Sequence, residues 1–454
     1  MKLLITSTFV LASLVSGCSA LHATTQESRS ASPKNDVKKP KNIIYLIGDG
    51  MSMAHISAYR YFKNSSASHL GLGNQPIPTT LFDDHFVGKA TTHPDDETLV
   101  TDSAAGATAL SSGVKTYNGA IALDTEKQPT WTLLQQAKRL GMTTATISTS
   151  QVTHATPASF LVHNESRRNE VEIADDIFDH RIDGQFVADL MLGGGTKYFI
   201  RDDRNIAQEF QAQGYQYTDS LSEIKSLSQL PALGLFAPKG LPYAIDSKQA
   251  PHRLTAMTEV ALPLLSRHSD KGFVVMIEGS QIDWCSHGND IACAMAEMAD
   301  FEQTLKAVID FAKQDGETLV VLTADHGTGG LTLGANKQYR WLPNVVHQVK
   351  ASAEAMVEQM AEEKSVTSVW NQHVEFELTE EQAKRLQKQL EKKELETVYY
   401  EVVKIIADAS FTGWTTTGHT ADDVAVIAYG VGAEQFRGSQ DNTDIAKKLF
   451  KLLR

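Results

Sequence analysis

Ser103 stands in Val100-Thr101-Asp102-Ser103-Ala104-Ala105-Gly106-Ala107-Thr108, and the small residues behind it predict a helix that starts at the serine. A hydroxyl at a helix N-terminus lies where the macrodipole favours its alkoxide and where free N–H groups can receive an anion. The same Asp-Ser pair also reads as an ordinary N-cap. Asp283 and His287 are spaced i, i+4, one turn of helix apart. That spacing sets a carboxylate and an imidazole on one face, where both can close on one cation. Asp325-His326-Gly327 follows an apolar run and gives a second such pair. His419, in Gly418-His419-Thr420, gives a further imidazole ahead of the last apolar run. Singly, each of these also fits a hydrogen-bonded turn residue. Together they could hold divalent cations beside a hydroxyl: imidazole with carboxylate suits zinc, and an all-oxygen set suits magnesium.

Such residues need elements that aim them at one place. Asn42–Ile47 is a mostly apolar run ending in Gly48-Asp49-Gly50, and similar runs recur at Met142–Ser148, Phe273–Ile277, Leu319–Thr323 and Val424–Tyr429. Runs of this kind suit strands buried on both faces of a parallel sheet. Helical patterns fall at Trp131–Leu140, Ala256–Ser266, Ala294–Lys313 and Thr443–Leu453. The alternation predicts an α/β fold, doubly wound, with a mostly parallel central sheet flanked by helices. Ligands gather beyond the carboxyl ends of strands in such sheets, and Asp49, Thr153 with His154, Glu278, and Asp325 with His326 all sit at those ends. About 340–410 is different: Ala351–Lys364 and Thr379–Glu396 are polar and helix-forming, and Thr379 with Gln382 has capping-box spacing. This segment is expected to be a helical insertion, serving as a lid, a dimer contact or a solvated excursion.

The N-terminus reads as an export signal. Lys2 precedes an apolar stretch, Leu3 to Val15, too short for a comfortable membrane span. It ends in Val15-Ser16-Gly17-Cys18, which resembles a bacterial lipobox, so residues 1–17 are expected to be a lipoprotein signal peptide and Cys18 the lipidated residue. Residues 18–40 then form a polar tether, and 41–454 the catalytic domain. The protein is expected outside the cytoplasm, periplasmic or at the cell surface, anchored by lipid to a bacterial membrane. Cys285 and Cys293 remain. Export permits them to pair, and their spacing at the start of a helix fits free thiols equally well. The formal net charge of −13 and the lack of a long basic run argue against a nucleic-acid partner beyond terminal phosphates. Acidity does not exclude an anionic substrate, since bound metal ions reverse the local field.

The nonapeptide around Ser103 resembles the active-site signature of the alkaline phosphatase family, and Val114-Lys115-Thr116-Tyr117-Asn118-Gly119-Ala120 is also similar to it. The family's other motifs follow in order from Asp49 to His419, and the helical insertion is the part least covered. The resemblance implies a phosphomonoesterase with Ser103 as nucleophile, two zinc ions and one magnesium ion. Asp283, His287 and His419 would hold the first zinc; Asp49, Asp325 and His326 the second, with Ser103 as exchangeable ligand; Asp49, Thr156 and Glu278 the magnesium. Arg167, thirteen residues after His154, stands where the family places its phosphate-binding arginine, with Arg168 beside it. A guanidinium fork can hold two phosphoryl oxygens.

Two positions depart from the best-known bacterial pattern: His154 replaces an aspartate that organises the magnesium waters, and Trp284 replaces a lysine. The first puts magnesium affinity in question. The second, by removing a cation near phosphate, is expected to weaken product binding and speed turnover. The resemblance further implies a phosphoserine intermediate, activity at alkaline pH, release of inorganic phosphate from small phosphomonoesters, a role in phosphate scavenging, and a homodimer. Competing hydrolases fit less well. A sulfatase needs x-Pro-x-Arg after its modified residue, and neither Cys285 nor Cys293 is so followed; a nucleophile elbow needs Gly-x-Ser-x-Gly, which Ser103 lacks.

Overall fold

The computed structural model describes residues 39–66, 68 and 78–453. The expected signal peptide, Cys18 and nearly all of the expected tether lie outside them. The apolar runs form strands: β1 (Asn42–Gly48), β2 (Phe86–Thr91), β3 (Thr143–Gln151), β4 (Leu190–Gly194), β5 (Gln216–Thr218), β6 (Ala232–Leu235), β7 (Phe273–Gly279) and β8 (Thr318–Thr323). Four two-residue strands follow, β9 (Gly327–Thr328), β10 (Thr332–Leu333), β11 (Thr412–Gly413) and β12 (His419–Thr420). The last two are β13 (Val424–Gly430) and β14 (Gly438–Asp441). Ten of these join in one sheet of order β14-β2-β13-β8-β1-β7-β3-β4-β6-β5.

Within that sheet β13 runs antiparallel to both of its neighbours, β8 and β2, while the other pairings are parallel. The fold is therefore the expected mostly parallel α/β sheet. β13 is the antiparallel member of it: a largely buried apolar run suits either ladder, and its direction is set by the connection feeding it. β1, β3, β7 and β8 are buried along their whole lengths. One layer of helices, Arg253–Arg267 and Ile291–Asp315, packs on one face, and Ser103–Ser112, Leu133–Arg139, Ala155–Leu161 and Asn442–Leu453 form the other. Each layer covers the apolar side chains that alternate strand residues send to it.

The segment expected as an insertion consists of helices Ala353–Glu363, Val366–His373, Glu380–Glu391 and Leu395–Ser410, packed in sequence around Met356, Met360, Trp370, Leu386 and Val402. Thr379 and Gln382 do form the capping box. The helix expected to continue to Glu396 instead stops at Glu391, and the chain passes through a left-handed Lys393 (φ 60°) before the next helix begins. No glycine or proline marks that break. Contacts tie this segment to the turn just beyond His287: Asp290 accepts from Ala353 N at 2.7 Å, and the Tyr399 hydroxyl donates to Gly288 O at 3.2 Å. Cys285 and Cys293 are disulfide-bonded, linking the short helix Gln281–His287 to the first turn of Ile291–Asp315. Among the described residues no helix is long and apolar enough to cross a membrane.

A buried ion network braces the same corner. Arg253 (1% exposed) donates to Glu297 and to the Gln281 side chain at 2.7 Å, and its Nη2 lies 3.6 Å from Asp300, itself 2% exposed. Asp300 in turn caps Leu254 N and Thr255 N at 3.0 and 3.2 Å. Removing one partner of a buried pair leaves an uncompensated charge. Arg253→Met is expected to destabilise the protein by about 3–5 kcal/mol, read as a lower urea midpoint with an unchanged slope. A loss below about 1 kcal/mol would mean the network is inert.

Candidate metal centre and nucleophile

Three neighbouring strands deliver carboxylates to one end of the sheet. Asp49 follows β1, Glu278 is the penultimate residue of β7, and Asp325 with His326 follows β8; all four are fully buried. The parallel register aligns Ile47 with Glu278 and with Thr323, so the three chain ends emerge at one level. Beyond β1 the chain turns through Gly50, whose φ of +69° only glycine adopts freely. A Cβ there would meet Asp283 Oδ1 and Thr328 Oγ1 at 2.7 Å. Asp325 Oδ1 accepts the Gly50 N–H at 3.1 Å, fastening the two turns together.

Ser103 opens the helix Ser103–Ser112 and Asp102 caps it, accepting from Ala105 N at 3.0 Å. Gly106 lets that helix seat on Asp325, since a Cβ would come within 3.0 Å of the aspartate's own. Ser103 Oγ then lies 3.1 Å from His326 Nε2 and 3.4 Å from Asp49 Oδ1. Asp102 does more than cap: its Oδ2 accepts from Arg167 Nη1 at 3.1 Å. The other arm of the fork, Arg167 Nη2, lies 3.0 Å from His154 Nε2. Arg167 is thus aimed from two sides, while the Arg168 side chain has no such partners.

Asp283 and His287 lie on the helix Gln281–His287, 3.3 Å apart. His419 reaches them because β12 pairs with β9, placing His419 opposite Thr328, two residues beyond His326. Its ring stacks on His326 with centroids 3.6 Å apart. His419 Nδ1 donates to Thr101 O at 2.9 Å and His287 Nδ1 donates to Thr417 O, which turns both Nε2 atoms inward to face one another at 3.0 Å, with Asp283 3.3 Å from that of His287. Metal-binding imidazoles are usually oriented this way, by an acceptor on the other ring nitrogen. Side chains close enough to share an ion form three groups: Asp283, His287 and His419; Asp49, Asp325 and His326; and Asp49, Glu278 and His154.

Electrostatics point the same way. Burial and the repulsion of Asp325, Asp283 and Glu278 push the Asp49 carboxyl well above its ordinary range; burial and Asp283 do the same to Asp325. Burial pushes Glu278 up to about 7. Burial acts on Asp283 too, but the hydrogen bond and charge of His287, with His326 and His419, outweigh it and hold that carboxyl low. His154 is driven down to about 3 by burial and by the Arg167 charge, and burial lowers His326 and His419. Asp49 Oδ2 and Glu278 Oε1 are buried and accept no hydrogen bond. Orphaned carboxylate oxygens beside neutral imidazoles are donors suited to divalent cations, and the residues fit such ions.

Thr156, expected beside magnesium, lies fully buried in the helix that His154 caps. His154 itself, expected only to influence that site, offers a ring nitrogen to the same two carboxylates. The Trp284 ring stands edge-on to His154, centroids 5.7 Å apart. Ser103, Arg167, Asp283, His287 and His419 open onto a cavity of about 610 Å³. Lys239 and Arg168 also line it. Sequence reasoning passed over Lys239, because it comes from the chain after β6 and carries no motif. Asp102 was visible as a cap, and only the fold reveals its grip on Arg167.

Comparison with known proteins accords with this geometry. The sequence model of the family described as "Alkaline phosphatase" matches residues 40–454. Alkaline phosphatase 3 of Bacillus subtilis is 44% identical over 451 residues, covering 98% of this chain and 95% of that protein. The crystal structure of a cold-active alkaline phosphatase from a psychrophilic Shewanella superposes with a TM-score of 0.84 at 43% identity, covering 91% of this chain and 100% of that one. A mutant alkaline phosphatase of the Antarctic bacterium TAB5, with magnesium bound in its M3 site, superposes with a TM-score of 0.67 at 29% identity over 92% of this chain and 99% of that one. A serine at a helix start, a held arginine and clustered buried carboxylates and imidazoles thus sit in a chain that belongs to the alkaline phosphatase family, enzymes that hydrolyse phosphate monoesters.

Proposed function

We propose that this enzyme hydrolyses phosphate monoesters to alcohol and inorganic phosphate through a phosphoserine on Ser103, with two zinc ions and one magnesium ion. The observation that carries this reading is the convergence at one cavity of Ser103, the Arg167 fork, Asp283, His287 and His419, with Ser103 Oγ also against the buried His326 and Asp49. Asp283, His287 and His419 would hold one zinc, and Asp49, Asp325 and His326 the other, with Ser103. Asp49, Thr156 and Glu278 would hold magnesium, with His154 alongside. When bound, the cations neutralise the buried carboxylates, favour the serine alkoxide and stabilise charge on the leaving oxygen.

Arg167, braced by Asp102 and His154, holds two non-bridging oxygens of the phosphoryl group and turns the scissile bond toward its departure direction. Ser103 Oγ attacks phosphorus in line, the ester P–O bond breaks and the alcohol leaves; water then cleaves the Ser103–phosphate bond. Because the guanidinium is fixed before substrate arrives, little reorganisation accompanies the step. Alkaline conditions favour both the alkoxide and hydroxide. The lipobox-like Val15–Cys18, the preceding signal and the polar residues 18–40 support export and lipid anchoring outside the cytoplasm, with residues 41–454 as the catalytic domain. Phosphate scavenging and dimer formation follow from the family habit.

Ser103→Ala is expected to lower kcat for p-nitrophenyl phosphate by at least about a thousandfold while KM changes little; turnover near the original rate would remove Ser103 from the mechanism. Glu278, pushed up to about 7 by burial, retains its proton in the metal-free protein at about pH 6, burial raises Asp49 and Asp325 in the same direction, and a cation must displace any such proton. Metal binding should therefore release protons and tighten from about pH 6 to about pH 8, seen as calorimetric heats that change with the buffer's ionisation enthalpy. Buffer-independent heats would contradict that ligand set. Trp284→Lys should lower the inhibition constant for phosphate about tenfold by returning a cation to the cavity wall, and an unchanged constant would separate Trp284 from product release.

A further inference from the structure

A phosphoryl group occupies only a small part of a cavity of about 610 Å³. The remainder receives the leaving group, and its wall carries two cations that the chemistry above does not use, Lys239 and Arg168. Both are exposed, and among the described residues neither side chain has a hydrogen-bond or ion-pair partner. Their backbones, in contrast, are fixed. Leu241 N donates to Thr149 O at 2.8 Å and Lys197 N donates to Pro238 O at 3.1 Å, pinning the chain on either side of Lys239. Arg167 N donates to Gly119 O at 2.8 Å, Asn169 N to Ser166 O at 3.1 Å, and Arg168 N to the Ser166 hydroxyl at 3.3 Å.

The cavity's acidic residues have other partners: Asp102 accepts from Arg167 at 3.1 Å, Asp283 lies 3.3 Å from His287, and Glu170 accepts from Gln151 at 2.9 Å, Thr153 at 2.7 Å and Tyr198 at 2.9 Å. The donors on Glu170 turn its lone pairs into the wall and leave the two cations free to face the cavity. In a protein of net charge −13, Lys239 and Arg168 with Arg167 set three cations against the three carboxylates that line this cavity, Asp102, Glu170 and Asp283.

We propose that Lys239 and Arg168 form a leaving-group subsite that binds a second anionic group on the substrate, so that the enzyme favours phosphoanhydrides such as nucleoside diphosphates over monoesters with an uncharged leaving group. The inference rests on the hydrolase reading above. With ADP, the terminal phosphoryl passes to Ser103: the hydroxyl proton leaves to solvent, the Oγ–P bond forms and the anhydride P–O bond breaks. AMP leaves with the bridging oxygen and its electron pair. Water then hydrolyses the phosphoserine, giving phosphate and restoring the serine hydroxyl. Lys239 and Arg168 hold the phosphate that AMP retains, the group AMP as a substrate lacks on its leaving side.

The test uses the metal-loaded full-length enzyme with ADP and AMP at constant free magnesium, comparing kcat/KM for the two. The ratio for ADP over AMP should fall about fivefold in Lys239→Ala and in Arg168→Ala, further in the double variant, through a higher KM for ADP. Lys239→Arg, which keeps the charge, should hold the ratio within about twofold of the starting enzyme. A ratio within about twofold in the alanine variants overturns the subsite, as does a fall carried by kcat alone. Failure of the unaltered enzyme to hydrolyse AMP would instead overturn the hydrolase reading, and the subsite with it.

Discussion

Asp49, Glu278, Asp283 and Asp325 bring four carboxylates into one buried volume, and among the described residues Arg167 is the permanent cation beside them. Ionised carboxylates in such a place repel strongly and lose their hydration. The protein therefore either holds protons there or holds positive ions. The rest of the site follows from that constraint. Burial keeps the His326 and His419 imidazoles toward their neutral form, while carbonyl acceptors on Nδ1 of His419 and His287 turn their Nε2 atoms into the site. Ser103 and Arg167 sit at the edge of this deficit, where an incoming phosphate meets the field created by whatever balances it.

Rigid parts hold the arrangement. β1, β7 and β8 lie side by side in the middle of the sheet, so the three carboxylates at their ends cannot drift without disrupting ladders on both sides. Asp283 and His287 are held from below by the Arg253–Gln281 contact and from their own helix end by the disulfide to Cys293. The helical segment after Ala353 is joined to the turn just beyond His287 through Asp290 and Gly288. Packing thus places a large share of the molecule behind a handful of ligand atoms.

Much of this was legible in the sequence, and the exceptions have physical reasons. The central strands stood out because burial on two faces demands unbroken apolar runs. β2, β4, β5, β6 and β14 did not, since they are short, edge-facing or interrupted by glycine, as in Leu190–Gly194 and Gly438–Asp441. The direction of β13 left no trace, because its side chains are equally buried in either orientation. The i, i+4 pair Asp283 and His287 is local, so spacing reveals it. The approach of His154 to Asp49 and Glu278, and of Lys239 to the same cavity, depends on how distant segments close in space, and no periodicity encodes it. The break at Lys393 was hidden because the residue there takes a left-handed turn without being glycine.

The pairing of β12 with β9 has a temporal side. His419 precedes only β13, β14 and the final helix, and β13 wedges between β2 and β8, strands made far earlier. A nascent chain can lay down its carboxylates long before the last imidazole is synthesised. Until the C-terminal part arrives, the early strands carry uncompensated acid groups and an incomplete sheet. The same late segment thus supplies both the last imidazole of the cluster and the strand that joins β2 to β8.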